Sequence, residues 1–153
     1  MIKHSVTATI AAAAFILGIA ADHVTSGARA AAPPLLPAAI DLTAISPDDM
    51  PTPSAVFPNL RSKTLVVSDG MTAVLSTGTA PKHYHSGANE IQIILDGTGT
   101  EWLGDRQVTL KPGMLVVVPS GTTHAGLTES SGHLKFVAIK TPPQDPADVH
   151  FVP

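Results

Sequence analysis

The sequence predicts an all-β protein of one domain, and three observations carry that expectation. Short segments rich in Val, Ile, Leu and Thr recur at intervals of about 8–12 residues from Arg61 onward. Turn chemistry separates them at Asp69-Gly70, Asp105-Arg106, Lys111-Pro112-Gly113 and Pro119-Ser120-Gly121. No helical period of convincing length appears after the amino-terminal segment. A chain of 153 residues has room for one such domain and a sizeable core.

Composition narrows the class. Four Phe, one Tyr and one Trp leave the core to Val, Ile, Leu and Ala. The net charge of −3, without any Lys/Arg run, argues against nucleic acid and anionic membrane surfaces as partners. With no cysteine, disulfides and thiolate metal sites are excluded.

Residues 1–30 read as a cleaved secretory signal. Lys3 lies ahead of a short apolar block, Ile10 to Ala21, and Ala28-Arg29-Ala30 gives a small-x-small cleavage pattern. The block falls short of the about 20 apolar residues that span a bilayer. An uncleaved anchor or an amphipathic helix is the alternative, and cleavage nearer Ala20 or Ala21 is a second choice of site. The mature chain then carries seven bases and eleven acids. A secreted or periplasmic location is expected, with no membrane contact after cleavage. No twin-arginine pair precedes the block, so export would be unfolded and any metal acquired afterwards.

Residues 31–60 form a proline-rich arm, holding seven of the fourteen prolines. Proline removes ladder donors and fixes φ, so neither a long helix nor a central strand fits there. Ser46-Pro47-Asp48-Asp49 can start one helical turn, with Ser46 as N-cap. The arm is expected to lie along the domain or across a partner subunit.

The β domain is expected over 61–140. Lys63–Ser68 and Met71–Thr77 flank Asp69-Gly70 as a hairpin. His83 to His85 and Glu90 to Asp96 follow, then Gly99–Gly104 and Gln107–Leu110 around Asp105-Arg106. Met114–Val118 reads as a buried strand stopped by Pro119. His124–Thr128, a polar turn at Glu129–Gly132 and a strand from His133 to Ile139 complete the set. Residues 141–153 form an acidic, proline-containing tail, an arm or an edge strand.

Within this frame one stretch carries chemistry. His83 and His85 are two apart, so in a strand their rings share a face, and Glu90 opens the next strand. His124 sits just beyond the Pro119-Ser120-Gly121 turn. These residues resemble the cupin family, whose first motif is a glycine, HxH, three or four residues, Glu, six residues and Gly; here Gly78, His83-Tyr84-His85, four residues, Glu90, six residues and Gly97. The second motif is matched by Gly113, five residues, Pro119-Ser120-Gly121, two residues, His124, three residues and Thr128. Two departures stand out: four residues instead of five separate Gly78 from His83, and Thr128 replaces the usual Asn. Neither position is a ligand.

The resemblance covers roughly Leu65 to Ile139 and implies a double-stranded β-helix, the jelly-roll barrel, with irregular proline-rich arms. It implies one divalent transition metal (Fe, Mn, Co, Ni, Cu or Zn) held by His83, His85, Glu90 and His124, a donor set unsuited to Ca²⁺. If folding follows export, the affinity order favours Cu²⁺ or Zn²⁺. Glu90 could also detach as a catalytic base. Gln92, Ile94 and Trp102 are candidates for the substrate pocket, with Val116 or Val117 and Val137 as further walls. Trp102 equally suits a core or subunit contact. Tyr84 should point away from the histidines. His133 reads as an exposed turn residue, and His4, His23 and His150 carry no case. Lys82 and Arg106 read as solvated, leaving no cationic clamp beside the motif.

The resemblance therefore implies a metal-dependent small-molecule dioxygenase or a related lyase or isomerase. The alternative is a non-catalytic periplasmic module that binds a metal or a small ligand. A structural oligomer with a vestigial site is the weakest reading, because all four ligand positions are filled. Pairing as a homodimer is expected, with the arms covering exposed strand edges.

Overall fold

The computed structural model describes Ala32 and residues 34–153; the expected signal segment lies outside the described residues. Among the described residues no helix is long and apolar enough to cross a membrane. The arm makes a single 3₁₀ turn, Pro47–Asp49, where the Asp49 carboxylate accepts from the Ser46 N–H (2.9 Å) and hydroxyl (2.8 Å).

Eight antiparallel strands follow: β1 (Leu60–Val67), β2 (Thr72–Gly78), β3 (His83–Tyr84), β4 (Asn89–Leu103), β5 (Arg106–Leu110), β6 (Leu115–Val118), β7 (His124–Thr141) and β8 (His150–Phe151). Hydrogen bonding runs β1-β2-β7-β3-β8, and β4 joins β7 to β5 and β6. The fold is all-β, a jelly-roll barrel with irregular arms.

Strand alternation sorts the side chains. Thr72, Val74 and Ser76 of β2 pair with Lys140, Ala138 and Phe136 of β7, which pair in turn with Glu90, Gln92 and Ile94 of β4. This shared face is the interior, where Ile94, Leu110, Val116, Val118, Leu134, Phe136 and Ala138 form one core. The intervening residues, Leu75 and Val137, face the other way and form a second cluster with Met50 of the arm. Leu42 and Ile45 pack on that cluster, and Lys135 Nζ donates to their carbonyls at 2.6 and 2.8 Å. The arm thus covers the outer face of the β2–β7 sheet.

Two corrections concern continuity. Strands expected on either side of Gly97 are one strand, β4, and the turn expected at Glu129–Gly132 lies inside β7. The turn residues produce bulges instead, with register shifts between Ile94 and Asp96, Asp96 and Thr98, Thr98 and Gly99, and Thr100 and Trp102. Gly97 carries φ +75°, and a Cβ there would lie 2.6 Å from the His133 carbonyl oxygen. Only glycine fits so close a crossing. The strands therefore bend and continue.

The interior core sets the stability. Leu134 is fully buried, so Leu134→Ala should cost about 2–5 kcal/mol by urea denaturation.

Candidate metal centre

Three strand ends and one loop converge on the centre. His83 opens β3 and pairs with His124, the first residue of β7, which also stands opposite Leu103 at the end of β4. Glu90 lies near the start of β4, between Val118 and Lys140. His85 follows β3, where its carbonyl accepts from the Gly121 N–H at 2.7 Å, so the Pro119–Gly121 turn is tied to it. The rings of His83 and His124 are 4.4 Å apart, and that of His85 is 5.0 and 5.2 Å from them. All three rings and the Glu90 side chain are buried.

Backbone carbonyls fix how the rings present themselves. The Nδ1 atoms of His83, His85 and His124 donate to the carbonyls of Pro81 (2.7 Å), Asp148 (2.6 Å) and Thr122 (3.2 Å). A proton held on Nδ1 leaves a lone pair on each Nε2, the form in which imidazole binds a metal. Each ring offers one nitrogen to a cluster in which all such atoms lie within 4.8 Å of one another, so the three histidines could hold a metal ion.

Glu90 stands beside two of these nitrogens. Its Oε2 lies 3.3 Å from His85 Nε2 and 3.7 Å from His124 Nε2, and none of these three buried atoms has a hydrogen-bond partner. Lone pairs facing a carboxylate oxygen in a dry interior are costly unless a cation joins them. The residues fit a divalent ion on that ground. Burial pushes the Glu90 carboxyl up, but hydrogen bonds from His124 and His85 whenever those rings carry a proton on Nε2, together with the Lys140 ammonium, hold it well below the usual carboxylate range. Burial, reinforced by His124, depresses His83 to about 4, which keeps its ring neutral.

The other expected site residues divide. Gln92 lies beside the centre, its Nε2 donating to Glu90 Oε1 at 3.0 Å. Ile94 shares that face but is packed in the interior core, as is Val116. Trp102 is not drawn in: its ring lies beneath the Lys82 ammonium, 4.4 Å away, on the face opposite Glu101. Val137 likewise faces the arm and Val117 the outside, because each is one residue out of phase with the interior. Tyr84 stacks on His150, away from the centre, and His133 is exposed with Glu129 as partner.

Two residues escaped sequence reasoning. Lys140, opposite Glu90 across the β4–β7 ladder, places its Nζ 3.4 Å from Glu90 Oε2. Glu101 is fully buried, and neither carboxyl oxygen has a partner. It shares the interior face with Leu103, which stands opposite His124. Burial raises its carboxyl to about 7, with His124 opposing the shift and Glu90 adding to it. The signal for Glu101 was the acid at an inward position of Gly99–Gly104. Lys140 had no local signal.

This arrangement is that of a single-domain jelly-roll barrel carrying three histidines inside one end. The cupin domain pattern matches residues 65–140, and the chain belongs to the cupin superfamily. No curated protein matches it. Solved structures do. KdgF from Halomonas sp. is 20% identical with a TM-score of 0.53, over 58% of this chain and 85% of that one. A nucleoside dehydratase from Streptomyces is 16% identical with a TM-score of 0.53, over 61% and 78%. The polyketide cyclase RemF from Streptomyces resistomycificus is 20% identical with a TM-score of 0.56, over 71% and 83%. At these identities the likeness establishes the fold.

The buried acid has a pH signature. Folded, Glu101 keeps its proton up to about pH 7, whereas the unfolded group releases it near 4.5. The folded state binds more protons in that window, so its stability falls as pH rises, by up to about 3 kcal/mol. Glu101→Gln removes this slope. The gap in unfolding free energy between the variant and the metal-free parent should widen from about pH 5 to about pH 7.5; parallel profiles would contradict the buried acid.

Proposed function

We propose that the protein is an exported metal-dependent enzyme that moves protons on a small-molecule substrate, a lyase or isomerase. One divalent transition metal would be held by Nε2 of His83, His85 and His124 and by Glu90. The observation that carries this reading is the anchoring of all three Nδ1 atoms on backbone carbonyls, which leaves the three other ring nitrogens clustered, those of His85 and His124 beside Glu90. When bound, such an ion acts as a Lewis acid towards a substrate oxygen.

The chain's own residues do the rest. Gln92 fixes Glu90, and the buried interior excludes water. Glu101 supplies a carboxyl that exchanges a proton near neutral pH, where acid–base catalysis is most effective. That group favours proton transfer over dioxygenase chemistry, which shares the same donor set. Two structural neighbours, named as a dehydratase and a cyclase, have activities of the same kind. Export is supported by the amino-terminal pattern. A homodimer is supported by exposed Leu115 and Val117 on β6, a strand paired on one side only.

Metal analysis tests the reading. Native protein, prepared without added metal, should carry one ion per chain, and His124→Gln should abolish binding. Gln92→Leu should weaken it by about 10–100-fold through loss of support for Glu90. Glu90→Gln should also weaken binding, and an unchanged affinity would remove Glu90 from the centre. Copper or zinc is expected from the affinity order outside the cytoplasm. Iron or manganese at stoichiometry would overturn that choice, and a metal-free protein that takes up none would overturn the whole reading.

A further inference from the structure

A cavity of about 400 Å³ opens between β2, the end of β7, the arm and the tail. Its size suits a small organic ligand. Val56 and Phe57 of the arm, Val74 of β2, and Pro146 and Val149 of the tail give it apolar walls. Lys140 is the charged residue in that lining.

The cavity meets the centre in two places. Phe57 lines the cavity and also packs on His83, with 5.2 Å between ring centroids. Lys140 Nζ reaches 3.4 Å from the Glu90 oxygen that faces His85 and His124. An ammonium has three donors. The Gln144 side-chain oxygen accepts from one and Glu90 is an ion-pair neighbour of the same nitrogen, so a donor remains for an occupant. Charge points the same way. Glu90 and Lys140 cancel, so a divalent ion at the centre leaves a net positive charge at the cavity's end. Apolar walls reduce the solvent screening of that charge on an anion. No carboxylate lines the cavity to oppose one.

We propose that this cavity is the substrate pocket and that it selects a small, largely apolar molecule bearing one carboxylate. The carboxylate sits at Lys140, and the apolar body lies between arm and tail. The proposal rests on the metal reading above for its net charge, and on the cavity itself for its shape.

Benzoate and its neutral counterpart benzamide are the probes, titrated into full-length zinc-loaded and metal-free protein by calorimetry and by methyl NMR. Zinc stoichiometry is read on the same samples. Zinc-loaded protein should bind benzoate at least about tenfold more tightly than benzamide, a modest value for a partly buried ion pair. Lys140→Met should remove that preference. Val56→Trp, at a half-exposed arm position, should fill the cavity and lose benzoate. Equal affinity for the two probes, no benzoate binding by protein holding one zinc per chain, or benzoate binding that survives Val56→Trp would each overturn the pocket and leave the metal reading standing. If the chain takes up no zinc, the metal reading falls. Methyl shifts at Val56, Val74 and Val149 in metal-free protein then decide the pocket: benzoate shifts lost in Lys140→Met support it, and none in the parent overturn it.

Discussion

The β4–β7 ladder coils, and the centre depends on that coiling. Glu90 lies near one end of the ladder, opposite Lys140, and Leu103 lies at the other, opposite His124. Drawn as a straight strand, the separation between Glu90 and Leu103 would be about 40 Å. In the folded chain Glu90 Oε2 lies 3.7 Å from His124 Nε2. The bulges in β4 and the glycine crossing at Gly97 supply the bend. Residues that read as strand breakers thus bring the donors together.

Coiling also explains the polar content of the interior. Towards the middle of the ladder the inward positions are Ile94, Leu134 and Phe136, and they pack. At the ends the same face carries Glu90, Gln92, Lys140, Glu101 and His124. Burying such groups costs stability, most plainly at Glu101, which has no partner for either oxygen. Departures from local packing rules of this sort mark functional positions. The apolar middle offsets the cost of the polar end.

What the sequence made legible is what neighbouring residues decide. Alternation and turn chemistry indicated β1, β2, β5 and β6, although β6, read as buried, turns Leu115 and Val117 outward. HxH spacing put His83 and His85 side by side, and glycine and proline spacing singled out Glu90 and His124. What stayed hidden depends on register between distant segments. Nothing near residue 140 reveals that it faces Glu90, and the carbonyl that orients His85 belongs to a residue 63 positions away. Val137, a candidate wall, faces the arm for the same reason: one step in phase moves a side chain to the opposite face. Gly97 and Gly132 suggested chain reversal because their left-handed φ values serve turns and bulges alike.

The tail gives the centre a temporal order. Asp148 holds the His85 ring by its carbonyl, while its carboxylate accepts from the backbone N–H groups of Ser86 and Gly87 at 2.8 and 2.9 Å. β8 then pairs with β3 directly over His83. A chain grown from its amino terminus has made His83, His85, Glu90 and His124 long before it makes residue 148. Until then His85 lacks the carbonyl that aims it. The three-histidine cluster is therefore completed only when the last residues of the chain have folded back onto it, and a chain still being made has no finished cage.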